Sequence, residues 1–169
     1  MIYYVCKYTP IELFRGFGEE CSVLEEMPEN FEQSDQIAHA NLCGFGKSVI
    51  QAVLEGKVEQ LVLVNCCDTI RSVYDILDDS GKLDFLYMVD MLHCDVSCSR
   101  ERTVIQLKEL AAAYGEYKGT TFNKEAFLKA FQPSERCSEY HLAVVGARMG
   151  EQLFEMTEDS MPLPVVNET

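Results

Sequence analysis

The chain has 169 residues, of which 47% are apolar and 25% charged; this is enough for one core and part of a second, and the composition excludes disorder and collagen-like repeats. Lys and Arg total 14 against 28 Asp and Glu, a net charge of -14, so the average field repels phosphate backbones and anionic lipid and no nucleic acid partner is expected. No apolar run approaches the roughly 20 residues of a membrane helix, and MIYYVCKYTP carries no secretory signal pattern, so no membrane association and a cytoplasmic location are expected.

In chain order, residues 1–6 read as a strand, with Thr9 as N-cap and Pro10 as first residue of a helix closed by Gly16 and Gly18. Cys21 to Leu24 reads as a second strand, and the acidic stretch Glu25 to Glu32 as a surface loop. One long helix is expected next, capped by Ser34 and continuing through Ile37, Ala40, Leu42, Phe45, Val49, Ala52 and Val53 to Gly56, weakened by Gly44 and Gly46. Gln60 to Asn65 is a continuous apolar run of strand length, the pattern of a strand covered on both faces. Asp68 opens a helix with the stripe Ile70, Val73, Tyr74 and Leu77, ended by Asp78 to Gly81; Phe85 to Val89 reads as a further buried strand, and Ser99 to Tyr117 as a helix.

A shorter helix, Lys124 to Phe131, meets Pro133, and the composition turns polar through Glu139. His141 to Val145, Gly150 to Met156 and Leu163 to Val166 then restart a strand, helix, strand pattern. Strands alternating with helices predict an α/β fold with a parallel sheet and flanking helices, whose ligands gather beyond the carboxyl ends of the strands. The expected division is an N-terminal α/β domain over 1–135 and the beginning of a second α/β unit over 136–169, with the chain truncated inside it.

The eight cysteines, at 6, 21, 43, 66, 67, 94, 98 and 137, are expected as free thiols in a reducing compartment, each a small buried hydrophobe unless grouping says otherwise. Cys67 falls between a buried strand and a helix start, where exposed N–H groups favour a thiolate suited to soft iron or nucleophilic attack. The adjacent Cys66 points elsewhere and is the weaker choice. Cys43 lies in ANLCGFGKS, where two glycines leave room for a cofactor beside the sulfur or, alternatively, for close helix packing. Gly46-Lys47-Ser48 is no phosphate loop, since that motif needs glycine where Asn41 stands. His93, Cys94 and Cys98 gather after the fourth strand, but lack the paired spacing of structural zinc. His39 and His93 are candidate bases for a cysteine nucleophile, with nothing to fix their distance.

Four stretches taken together, CKYTPIEL, ANLCGFGKS, LVLVNCCDTIRSVYDIL and LDFLYMVDMLHC, resemble the 2-hydroxyacyl-CoA dehydratase family, specifically its iron–sulfur D-component and the related benzoyl-CoA reductase subunits. The resemblance runs over essentially the whole chain. It implies flavodoxin-like (Rossmann-type) α/β domains and a 4Fe-4S cluster held by three cysteines from successive domains. Cys43 and Cys67 occupy the first two positions, with the third outside this chain, and Cys66, Cys94 and Cys98 stand as lesser candidates. It implies an ATP-dependent activator protein, a CoA-thioester substrate, and a related dehydratase subunit or a second copy as partners. The chemistry implied is radical removal of water from a 2-hydroxyacyl-CoA to give a 2-enoyl-CoA, with this chain alone incomplete. Two alternatives accompany it: a component of a double-cubane-cluster, ATP-dependent reductase, and a non-catalytic domain for subunit interaction.

Overall fold

A computed structural model describes residues 1–25, 28–90, 96–131, 140–145 and 149–167. Two compact units are present, Met1–Phe131 and Gln132–Thr169. In the first, the elements run β1 (Ile2–Tyr4), α1 (Ile11–Arg15), β2 (Cys21–Val23), α2 (Ser34–Ile37), α3 (Gly44–Leu54), β3 (Gln60–Asn65), α4 (Asp68–Ser80), β4 (Phe85–Asp90), α5 (Ser97–Lys118) and α6 (Lys124–Ala130). The four strands form one sheet in the order β2-β1-β3-β4, every pair parallel. This is the arrangement of a flavodoxin-like α/β fold.

The QLVLVN run becomes β3 because both of its faces are covered. Leu61 and Leu63 enter a core with Val49, Ile50 and Val53 of α3 and Ile70, Val73 and Leu77 of α4. Val62 and Val64 enter a second core with Leu13 and Phe14 of α1 and Leu110 and Tyr114 of α5. All four β3 side chains are fully buried, and each contributes about 1.5–3 kcal/mol of apolar transfer free energy. β4 differs from the expected buried strand. Its central residues Leu86, Tyr87 and Met88 are only half-buried, because it stands at the edge of this sheet and is flanked on one side only.

Three expectations shift. Pro10, not Thr9, precedes the first helical residue, and the Thr9 hydroxyl accepts no capping hydrogen bond from the helix start. The long helix from Ser34 to Gly56 is two helices: Ala38 is extended (φ -89°, ψ 144°), and α3 starts only at Gly44 with Cys43 as its extended N-cap. Ser34 is the first residue of α2 rather than its cap, its hydroxyl donating to the Phe31 carbonyl at 3.2 Å. α5 begins at Ser97, two residues before the expected Ser99. α4 follows its expectation, opened by Asp68 and closed by Gly81 in the left-handed region (φ 58°), which glycine adopts without steric cost.

Gln51 replaces the missing α2 cap. It is 1% exposed, its Oε1 accepts from the backbone N–H of Ser34 at 2.9 Å and of Gln33 at 3.1 Å, and its Nε2 donates to Glu55 at 2.8 Å. Gln51→Leu is expected to cost about 1–3 kcal/mol by leaving two donors without this acceptor, measured as a lower urea midpoint at unchanged slope. The Gln51 amide, and then Lys57, hold the Glu55 carboxyl below its ordinary range. The same variant therefore raises that pKa in an NMR titration, whereas an unmoved value would show that the hydrogen bond is not formed.

In the second unit, β5 (Leu142–Val144) and β6 (Val165–Asn167) pair in parallel, with α7 (Glu151–Ser160) between them in sequence. No residue of α7 is buried. The strand, helix, strand order matches the expected restart, with its helix extending four residues past Met156.

Candidate functional site

In the four-stranded sheet the chain passes from β1 to β2 on one side and then returns to β3 on the other. Loops leaving the carboxyl ends of β1 and β3 therefore diverge to opposite faces, and open α/β sheets bind ligands in the crevice this leaves. The cysteines follow that geography. Cys66 and Cys67 come directly after β3, Cys67 as the extended N-cap of α4, and both are exposed. Cys6, half-buried, lies two residues beyond β1, the strand hydrogen-bonded beside β3. Partial withdrawal from water, and then the neighbouring thiols of Cys67 and Cys6, push the Cys66 thiol up to about 11.

Cys43 reaches the same edge on a helix. It is exposed and caps α3, whose amino end lies at the carboxyl edge because the helix runs back before β3 begins. Gly46 brings this end against α4. A β-carbon at Gly46 would stand 2.6 Å from Thr69 Cγ2 and 3.2 Å from Val73 Cγ2, a separation that no real side chain tolerates without movement. The absence of a side chain there lets the first turns of α3 and α4 approach, and with them the two capping cysteines. Each helix also turns the positive end of its dipole toward its capping cysteine, which favours negative charge on the sulfur.

A polar chain fixes the β3 end. Asn65 Nδ2 donates to Asp90 Oδ1 at 2.8 Å, its register partner on β4. Asn65 Oδ1 accepts from Arg71 Nε at 2.6 Å, and Arg71 reaches Asp68 at 3.5 Å. The backbone on either side of Cys66 and Cys67 is thus tied to α4 and β4. Nothing in the sequence pattern announced Asn65 and Arg71 in this role, although a polar residue ending an apolar run is the available signal.

Cys98, at the start of the helix that follows β4, also belongs to the carboxyl edge; the other candidates are committed elsewhere or fall outside what is described. Cys98 is exposed in the first turn of α5, while His93, Cys94 and Cys137 lie outside the described residues. Cys21 begins β2, at the amino end of the sheet, and burial raises its thiol to about 11. His39 accepts at Nδ1 from the Asn41 N–H at 3.1 Å. Lys47 pairs with Asp35 at 2.6 Å, tying α3 to α2, and the Ser48 hydroxyl bonds back to the Gly44 carbonyl within α3, so both side chains are engaged in holding these helices. Among the described residues no three His, Cys, Asp or Glu side chains converge on a single metal ion, and no helix is long and apolar enough to cross a membrane.

The family model of the 2-hydroxyglutaryl-CoA dehydratase D-component matches residues 6–161. No curated protein matches the chain.

Proposed function

The chain belongs to the 2-hydroxyglutaryl-CoA dehydratase D-component family, and from that membership we propose that it carries the amino-terminal part of an iron–sulfur 2-hydroxyacyl-CoA dehydratase site, with Cys43 and Cys67 as cluster ligands. The observation that supports this most is the pairing of two exposed cysteines as the N-caps of α3 and α4, helices that touch through Gly46 and Thr69 at the crevice edge. The donor set fits a four-iron cluster. Each thiolate of such a cluster sits on its own iron, so its ligands need not converge on one point as those of a single ion must.

A cluster held by Cys43, Cys67 and a third cysteine outside this chain would supply one-electron chemistry to a 2-hydroxyacyl-CoA thioester, the electron coming from an ATP-dependent activator and being returned after hydroxide and a proton have left, so that the net change is loss of water to the 2-enoyl-CoA. The contributions of this chain are more local. Cys43 and Cys67 offer thiolates at two helix starts, whose N–H groups lower the cost of their charge. The Asp90, Asn65, Arg71 and Asp68 chain links the end of β3 to β4 and to the first turn of α4 on either side of the Cys67 loop. A third cysteine from an adjacent domain, and a related subunit or second copy, complete this reading. A cytoplasmic setting accords with free thiols.

Anaerobic reconstitution with ferrous iron and sulfide, followed by iron and acid-labile sulfide analysis, tests it. Cys43→Ser and Cys67→Ser are each expected to lose roughly tenfold or more of the retained iron, since even an outer partner of a metal ligand is worth roughly 10–100-fold in affinity. Cys66→Ser is expected to keep it. Wild-type iron in both Cys43→Ser and Cys67→Ser would overturn the assignment; loss in Cys66→Ser but not Cys67→Ser would move the ligand one residue back.

A further inference from the structure

We propose that Asn65 is a positioning residue for Cys67, the joint through which β4 and α4 together set where that sulfur stands, an inference that rests on the cluster-binding function proposed above. Asn65 ends β3, and Cys67 caps α4 two positions later. The backbone between them is short and sharply turned. The Cys66 N–H donates to the Val64 carbonyl at 2.7 Å, a turn centred on Asn65, and Cys67 is then extended before its carbonyl accepts the Arg71 N–H at 3.3 Å. The Asn65 side chain bridges this stretch. Its Nδ2 donates to Asp90 Oδ1 at 2.8 Å across the β3–β4 pair, and its Oδ1 accepts from Arg71 Nε at 2.6 Å, in α4. Arg71 in turn reaches Asp68, the residue directly after Cys67, at 3.5 Å. Residues 65 and 68 are therefore anchored, with Cys66 and Cys67 between them.

The chemistry of the two flanking groups explains the amide. A carboxylate such as Asp90 only accepts hydrogen bonds and the Arg71 guanidinium only donates them, so the group that joins them has to donate at one end and accept at the other. Asparagine does both, whereas an aspartate there has no donor and a leucine has neither function. Both bonds are made to charged partners, the stronger kind of hydrogen bond. The contact from Arg71 to Asp68 joins two well-exposed side chains, and such pairs contribute little to stability. The effect of the chain therefore falls on placement more than on folding. Thr69, next to Asp68, is the residue whose methyl meets Gly46 of α3, so the turn of α4 anchored by Asn65 is also the turn that faces the helix capped by Cys43.

A reciprocal exchange in the 169-residue chain tests the joint. Asn65→Asp keeps the shape of the side chain, removes its donor and sets a carboxylate against Asp90. After anaerobic reconstitution with ferrous iron and sulfide it is expected to retain roughly tenfold less iron than wild type, the scale of loss when a group that orients a metal ligand is removed. Adding Asp90→Asn reverses the bond: the new amide donates to the new carboxylate, which still accepts from Arg71. The double variant is expected to return to within about threefold of wild-type iron, as coupled neighbours do. Asp90→Ala, which removes the anchor on β4 and adds no charge beside the cysteines, is expected to lose roughly tenfold on its own. Wild-type iron in both Asn65→Asp and Asp90→Ala, with Cys67→Ser depleted, overturns the inference and leaves the dehydratase reading standing. A loss in Asn65→Asp that Asp90→Asn does not restore also overturns it, because added charge or a weakened fold then accounts for the loss. Wild-type iron in Cys67→Ser removes the ligand itself, and both readings fall together.

Discussion

Gly46→Val is expected to destabilise the first unit by about 3 kcal/mol, the upper end of what overpacking costs, and to lower iron retention with it. The β-carbon alone would stand 2.6 Å from Thr69 Cγ2, 3.2 Å from Val73 Cγ2 and 3.3 Å from Leu42 Cδ2. Thr69 and Val73 are both β-branched and sit on α4, where one rotamer of valine dominates and threonine has few alternatives, so neither yields cheaply. The helix must move instead. Valine is a better helix former than glycine by a few tenths of a kcal/mol, too little to offset the clash. Urea unfolding followed by far-UV circular dichroism gives the cost. A double substitution separates contact from propensity: Thr69→Ser removes the offending methyl, so Gly46→Ala with Thr69→Ser should be more stable than the sum of the two single changes predicts. Strict additivity would mean that the two helices do not meet at this point. Lost iron in Gly46→Val, with both cysteines intact, would identify the helix contact as what sets their spacing.

Close helix packing is one of the two readings that the glycines of ANLCGFGKS allow, and Gly46 bears it out; that its partner is Thr69 of α4 is not legible in the sequence, although much around it is. The sheet could be read because its apolar runs are unambiguous: Leu61 to Val64 can be continuous only if both faces are covered, and they are. Helix α4 carried its own boundaries in Asp68 and Gly81. The segment from Ser34 to Gly56 misled because Ile37, Ala40 and Leu42 keep approximate helical spacing, while the break depends on an extended Ala38 and on a distant side chain, Gln51, that caps α2 from within α3. No local pattern encodes a cap that arrives from 17 residues away. The consequence for the site is direct. Cys43, placed by periodicity inside a helix, is at the start of one, where its sulfur gains the field of the helix end and solvent access.

The edge therefore owes its arrangement to packing on both sides of the sheet, and α5 provides the side away from α3 and α4. Tyr114→Ala is expected to cost about 3–5 kcal/mol, the range for removing a large buried aromatic side chain. Tyr114 is fully buried and lies edge-on to Phe14 at 5.1 Å, Phe17 at 5.3 Å and Phe85 at 4.9 Å between ring centroids. It joins α1, β4 and α5 in one contact. Its hydroxyl donates to Gln60 Oε1 at 3.0 Å, inside the core at the start of β3. Tyr114→Phe keeps the ring and leaves that oxygen without its donor, so a smaller loss of about 1–3 kcal/mol is expected. The pair also predicts a pH dependence. Burial, and then the Glu19 charge, raise the Tyr114 pKa above its ordinary value. The unfolded chain, ionising near 10, loses its proton first, so this contribution is complete below about pH 10 and declines as pH climbs toward the folded value. In wild type the stability should therefore fall more steeply above about pH 10 than in Tyr114→Phe, which has no proton to lose at that position. Parallel alkaline slopes for the two proteins, measured by urea midpoints, would show that the hydroxyl ionises as readily folded as unfolded and that burial does not hold its proton.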